Sequence, residues 1–144
     1  MQLSKRTQYG LRAMICLADA YQHGFLQTRE LTARENLPTK FLESILAALT
    51  RGKFLESKIG PVGGYRLAMD PHDICVGDIV TRLEGKKLLD DQDADMDGSH
   101  PGEMGVRLVQ SQMTTAMRDV LKKMTLAELS EKVGARGRGQ MYYI

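Results

Sequence analysis

With 144 residues, 26% of them charged and a net charge of +2, the chain is sized for one folded domain with a helical extension. No apolar run approaches the ~18 residues of a membrane span, and Met1–Arg6 leads into charged and polar residues instead of an apolar signal core, so a cytoplasmic protein without membrane contacts is expected. The charge is uneven: residues 1–66 carry ten Lys/Arg against five Asp/Glu, and residues 67–144 carry ten against thirteen, which makes the N-terminal half a candidate for nucleic acid.

Leu11, Met14, Ile15, Ala18 and Tyr21 recur at three and four residues, which predicts a first helix from about Thr7 to Tyr21 with these side chains inward. Gly24 lies just beyond its end, where a left-handed residue stops a helix. A short second helix follows, with Thr28 as candidate N-cap and Leu31 inward, ending near Glu35-Asn36. Pro38 then suits the first turn of a third helix, in which Leu42, Ile45, Leu46 and Leu49 form a buried stripe and Gly52 a C-cap. Two helices separated by the Asn36-Leu37 turn outline a helix-turn-helix. "FLESKI" and "YRLA", joined by the glycine-rich "GPVGG", read as a β-hairpin.

Beyond Asp70-Pro71, "VGDIVTRLEG" predicts a fourth helix of about two turns, and residues 90–105 an acidic loop. From Met104 to Met124 runs a helix about 30 Å long, with Val106, Val109, Met113, Met117, Val120 and Met124 near a heptad spacing. So long a stripe predicts a partner helix from a second subunit. Thr125-Leu126-Ala127-Glu128 is a capping-box signature for a last short helix. The expected organisation is therefore a winged helix-turn-helix over 1–70, a connecting helix and acidic loop over 71–103, a dimerisation helix with a short C-terminal helix over 104–133, and a flexible tail over 134–144. The fold class is mainly α with a small β-hairpin wing.

The third helix turns Thr39, Lys40, Glu43, Ser44, Ala47 and Arg51 outward, and hydrogen-bonding side chains near a helix N-terminus are what major-groove reading requires. Lys58 and the amides of Gly60, Gly63 and Gly64 are placed for a phosphate or the minor groove, and Arg66 for another phosphate. Tyr65 has two readings, a ring packed beneath the wing or a hydroxyl on the DNA backbone. Lys5, Arg6, Lys40, Arg51 and Lys58 are candidates for neutralising phosphate charge. Asp93, Asp95, Asp97 and Gly98 match the first positions of an EF-hand loop, but the match fails at Pro101 and Met104, so no metal site is expected. His23, His72 and His100 are scattered, and the wing glycines lack the lysine and helix of a P-loop. Enzymatic activity is not expected.

"SKRTQYGLRAMICLA", "LPTKFLESILAALTRGKFLESKIGPVGGYRLA" and "ICVGDIV" together resemble the Rrf2 family of bacterial winged-helix transcription regulators, over nearly the whole chain. The resemblance implies a homodimer braced by the long helix and bound to double-stranded DNA at a palindromic operator; a repressor is expected, because a bound dimer can block polymerase by occupancy alone. It places base reading on Lys40, Phe41 and Ser44, with Thr39 and Glu43 adjacent, and wing contacts on Ile59, Gly60, Gly63 and Gly64. Two departures stand out: Ile59 where arginine is common among iron–sulfur members, and Val62 for another glycine. Cluster-binding members carry three cysteines between the fourth and the long helix, where this chain has none; clusters need thiolates. The expectation is a clusterless member without cofactor, its small-molecule effector or protein partner open. The alternative is a winged-helix protein- or ligand-interaction module with reduced DNA binding, for which Ile59 is the best support.

Overall fold

The computed structural model describes residues 2–85 and 98–141, with side chains to residue 134. In chain order come α1 (Lys5–Asp19), α2 (Thr28–Glu35), α3 (Thr39–Arg51), β1 (Leu55–Lys58), β2 (Gly64–Leu67), a 3-10 turn at Pro71–Asp73, α4 (Val76–Glu84), α5 (Pro101–Lys123) and α6 (Leu126–Met141). This is the expected class: helices with one antiparallel hairpin, Leu55 facing Leu67 and Lys58 facing Gly64.

Helix α1 starts two residues before the apolar periodicity does, because Ser4 caps it by accepting the Thr7 N–H at 3.2 Å. Its inner face also differs from the one that the large apolar residues predict. Thr7, Gly10, Ala13, Met14, Cys16 and Leu17 are buried, while Leu11, Ile15, Ala18 and Tyr21 pack at the rim of the core. The small residues explain the rotation: α4 lies against Gly10, where an added Cβ would run into Leu83. Tyr21 falls outside the helix, which ends at Asp19 with Ala20 as its C-cap, and Gln22 and Gly24 follow at φ +70° and +97°.

Thr28 is the first residue of α2, not its cap; that place is taken by Gln27. Asn36 turns the chain between α2 and α3 in the left-handed region, at φ 51°, a conformation its short polar side chain tolerates. Pro38 sits at the N-cap of α3, one place before the first turn. Arg12 of α1 closes the C-terminal end of α2, donating to the Glu35 carbonyl and lying 3.5 Å from its carboxylate.

The core gathers Leu42, Ile45, Leu46 and Leu49 of α3 with Met14, Leu17, Leu31, Ile79 and Leu126. Residues 74–76 pair with 124–126: Val76 N–H donates to the Met124 carbonyl and Leu126 N–H to that of Ile74, both at 2.9 Å. This stitch fixes the start of α4 against the junction of α5 and α6. Thr125 caps α6 as its sequence predicts, its hydroxyl accepting the Glu128 N–H at 3.1 Å.

Helix α5 begins at Pro101, three residues earlier than the valine/methionine pattern, with Glu103 reaching back to accept the Gly98 N–H at 2.8 Å. The last residues expected to lie in the acidic loop thus belong to a helix start; Asp93, Asp95 and Asp97 lie outside the described residues. Helix α6 continues to Met141, past the expected tail boundary at 134. Its three glycines each cost about 1 kcal/mol against alanine, but the intervening Ala135, Arg136, Arg138 and Gln140 are good helix formers.

The wing is tied to the helices twice. Leu26 and Tyr65 exchange both backbone hydrogen bonds at 2.8 Å, and the Gln27 side-chain amide donates to the Pro61 carbonyl at 2.6 Å. At Gly64, φ is +130° and an added Cβ would run into the Leu26 carbonyl oxygen, whereas Gly60, at φ +117°, faces open space. Gly60→Ala should therefore cost only its backbone strain, about 1–3 kcal/mol. Gly64→Ala should cost a further ~1–3 kcal/mol from the collision, read as the larger drop in urea midpoint.

Glu84, at the end of α4, accepts the Ser4 backbone N–H at 2.7 Å. Partial burial raises its carboxyl, but the hydrogen bonds from the Ser4 N–H and the Thr7 and Ser4 hydroxyls outweigh that and hold it below its ordinary value. A carboxylate depressed in the folded state stabilises above its unfolded pKa, and that contribution is lost as pH falls through the folded one. The stability difference between wild type and Glu84→Gln should accordingly shrink as denaturation is measured at pH values below the usual carboxylate range.

Candidate nucleic-acid interface

Helix α3 divides cleanly between its two sides. Leu42, Ile45, Leu46, Ala48 and Leu49 are buried, while Thr39, Lys40, Phe41, Glu43, Ser44 and Arg51 are exposed. Ala47, expected on the outer row, is half-buried. Phe41 is 65% exposed, an unusual state for a phenyl ring on a core helix, since aromatic area is among the most costly to leave in water.

Next to this row lies a groove of about 580 Å³ between α2, α3 and the wing, lined by Gln27, Thr28, Arg29, Thr39, Glu43 and the wing glycines among others. Thr39, Gly60, Gly63 and Gly64, assigned from sequence to two separate elements, thus share one concavity. Gln27, Thr28 and Arg29 were not among the sequence candidates. Their signal was available, because the first turn of α2 in a helix-turn-helix faces the nucleic-acid backbone, but no periodicity marks it.

On the other flank of α3, Lys5 and Arg6 line a cleft of about 470 Å³ with Tyr9, Phe41, Ser44 and Ile45. The Arg6 guanidinium donates to the Ser44 hydroxyl at 3.2 Å, so a cation of α1 is held against the middle of the outward row. Lys58 and Ile59 lie at the wing tip, both exposed.

Arg66 is otherwise engaged. Its Nε donates to Glu56 at 2.9 Å across the hairpin, and its guanidinium lies 4.4 Å from the centre of the Phe25 ring. A planar cation clamped this way stiffens the wing instead of projecting toward a phosphate. Tyr65 resolves to the packed alternative, against the core.

The stripe of α5 is only partly covered by the described residues. None of its 23 residues is buried, and Val106, Val109, Met113 and Val120 are between 49% and 61% exposed. Met117 and Met124 are half-buried. No helix among the described residues is long and apolar enough to cross a membrane.

The Rrf2 family model, by description an iron-dependent transcriptional regulator, matches residues 3–132. The HTH-type transcriptional regulator CymR of Bacillus subtilis is 28% identical over 148 aligned positions that span all of both chains. The structure of B. subtilis CymR, described as its global cysteine regulator, superposes with a TM-score of 0.77 at 27% identity, covering 92% of this chain and 98% of that one. The structure of T. potens IscR gives 0.76 at 29% identity, covering 92% and 88%. These relatives are transcription regulators, not enzymes.

The family description raises the question of iron. Thiolates hold iron–sulfur clusters, and this sequence has two cysteines. Cys16 is buried in the core, where desolvation pushes its thiol above the ordinary value more than Arg34 lowers it, and this also disfavours the thiolate that a redox switch needs. Cys75 donates its thiol proton toward the Leu121 carbonyl at 3.4 Å. Among the described residues no three His, Cys, Asp or Glu side chains gather where a metal could bind. The donor set does not fit the family's cluster, and nothing in the function is routed through one. The recognition-helix row, the wing tied beside it and a match along residues 3–132 lead to one conclusion: the chain belongs to the Rrf2 family of DNA-binding winged-helix transcription regulators.

Proposed function

We propose that the chain works as a homodimer that binds a palindromic operator and represses by occupying it, without an iron–sulfur cluster. The observation that carries this reading is the exposed row Thr39, Lys40, Phe41 and Ser44 on α3, set beside the wing on one face of the domain. In it, α3 lies in the major groove with Lys40, Phe41 and Ser44 at base edges and Thr39 at the backbone. Lys5, Arg6, Arg51 and Lys58 neutralise phosphates, and the wing approaches the backbone with the Gly60 and Gly64 amides, that of buried Gly63 being spent on the Gly60 carbonyl at 3.0 Å. The apolar stripe of α5 packs against its copy, which doubles the reading head and matches operator symmetry to protein symmetry.

Occupancy is sufficient for repression, since a bound dimer blocks polymerase without further chemistry. An effector or a partner protein would then act by changing the affinity for DNA. A second reading, an interaction module with reduced DNA binding, draws on Ile59, whose side chain is fully exposed at the wing tip.

Fluorescence anisotropy with duplexes from the upstream region of the protein's own gene tests the first reading. If five to eight phosphates are neutralised per dimer, the log–log salt slope is roughly −5 to −7. Ser44→Ala should relax preference at one base pair by about 1–3 kcal/mol, while uniform weakening on all sequences would remove Ser44 from base reading. Val109→Asp with Met113→Asp, both at exposed positions, should halve the mass seen in sedimentation equilibrium and abolish tight operator binding. A wild-type chain that sediments as a monomer at micromolar concentration would rule the dimer out.

A further inference from the structure

The tip of the wing is apolar where a DNA-facing hairpin would be expected to be basic. Ile59 is 100% exposed and Val62 77% exposed, one on each side of Gly60-Pro61. Single exposed apolar side chains are ordinary on protein surfaces, but these two share a projecting turn that is held in place. The Gly63 N–H closes it on the Gly60 carbonyl at 3.0 Å, and Gln27 holds Pro61 from below at 2.6 Å. The strands behind it are braced by Arg66 against Glu56 and Phe25. Gly60 and Gly63 of this turn line the same groove as Thr39 and Glu43 of α3, which sets the tip on the side of the outward row, and exposed Lys58 next to it, its ammonium only loosely over the Phe25 ring at 5.8 Å, is a cation within reach of a flanking phosphate. A stiff mount, an apolar point and a cationic neighbour are the parts of a minor-groove wedge.

We propose that Ile59, with Val62 beside it, enters the minor groove, partly unstacks one base step and kinks the duplex, so that the wing reads deformability rather than base edges. This rests on the DNA-binding reading above and specifies its wing contact. The chemistry favours pyrimidine–purine steps, which unstack most readily, at the position that each wing meets on either side of the operator. The bend lies in the range of about 20–90° that such wedges produce. An apolar wedge displaces no counterion, so its contribution to affinity is independent of salt, unlike that of an arginine in the same place.

The test starts from duplexes enriched by the full-length protein from a random pool. End-to-end FRET then reports the bend, and 2-aminopurine placed in the wing-facing step reports unstacking. Wild type should bend the duplex and raise the 2-aminopurine signal. Ile59→Ala, which removes no contact inside the protein, should lose both, weaken binding roughly ten-fold, leave the salt slope unchanged and keep the preferences read by α3. Ile59→Arg should recover affinity with a steeper salt slope but without the 2-aminopurine signal. If Ile59→Ala and the double variant with Val62→Ala bind and bend as wild type does, the wedge is wrong and the tip is a surface for a protein partner. Failure of the wild type to enrich any duplex would instead overturn the DNA-binding reading on which the wedge rests.

Discussion

The burial of one side of α3 is the constraint on which the candidate DNA-facing surface depends. Leu42, Leu46 and Leu49 have no exposed surface and Ile45 almost none, and each such side chain contributes about 1.5–3 kcal/mol by leaving water. Rotating α3 by a fraction of a turn would bring these residues into solvent, so the opposite row has little freedom. The helices behind it enforce the same choice. Gly10 lets α4 close onto α1, with Leu83 seated over the glycine, and Arg82 of α4 donates to the Ala48 carbonyl of α3 at 3.1 Å. A surface with exposed polar and aromatic groups is thereby held by the leucine and isoleucine row on the opposite side of the same helix.

The wing is the second part of that surface, and it is stable only because it is tied down. A two-stranded hairpin of four-residue strands is marginal alone in water. Here Leu26 extends the sheet by pairing with Tyr65, and Gln27, the next residue, holds the tip. The segment that enters α2 is therefore also the segment that positions the wing. The Phe25–Arg66–Glu56 cluster adds stiffness at the cost of a cation that would otherwise be free for phosphate. That exchange fits a wing whose tip is apolar.

Outside the domain the balance changes. Helix α5 contacts α4 along a narrow face but shows most of its valine and methionine side chains to solvent within one chain, an arrangement that a folded monomer has little reason to keep. On the homodimer reading, stability and assembly are coupled, as in obligate dimers. The stitch of residues 74–76 to 124–126 places the base of α5 directly against α4, whose last residue, Glu84, holds the start of α1 through Ser4. Lys5 and Arg6 follow at once, and Arg6 reaches Ser44. Helices α5 and α3 are thus joined through a short series of defined hydrogen bonds.

The sequence by itself determined the element types, the order of helices and hairpin, the stripe of α3, the turn at Asn36, the cap at Thr125 and the family. Each rests on a local rule: a period, a cap or a glycine at a forced conformation. The missing loop cysteines were equally plain, since donor chemistry is legible without coordinates. Only the tertiary structure decided which face of α1 is buried. Periodicity weighs large apolar residues, whereas close helix packing selects small ones, and Gly10 and Ala13 outrank Leu11 and Ile15. Only it decided that Arg66 is clamped rather than free, because Phe25 and Glu56 come from separate segments. It also brought Gln27, Thr28 and Arg29 of α2 to the groove that Thr39 and the wing glycines share, a long-range juxtaposition that no spacing along the chain encodes.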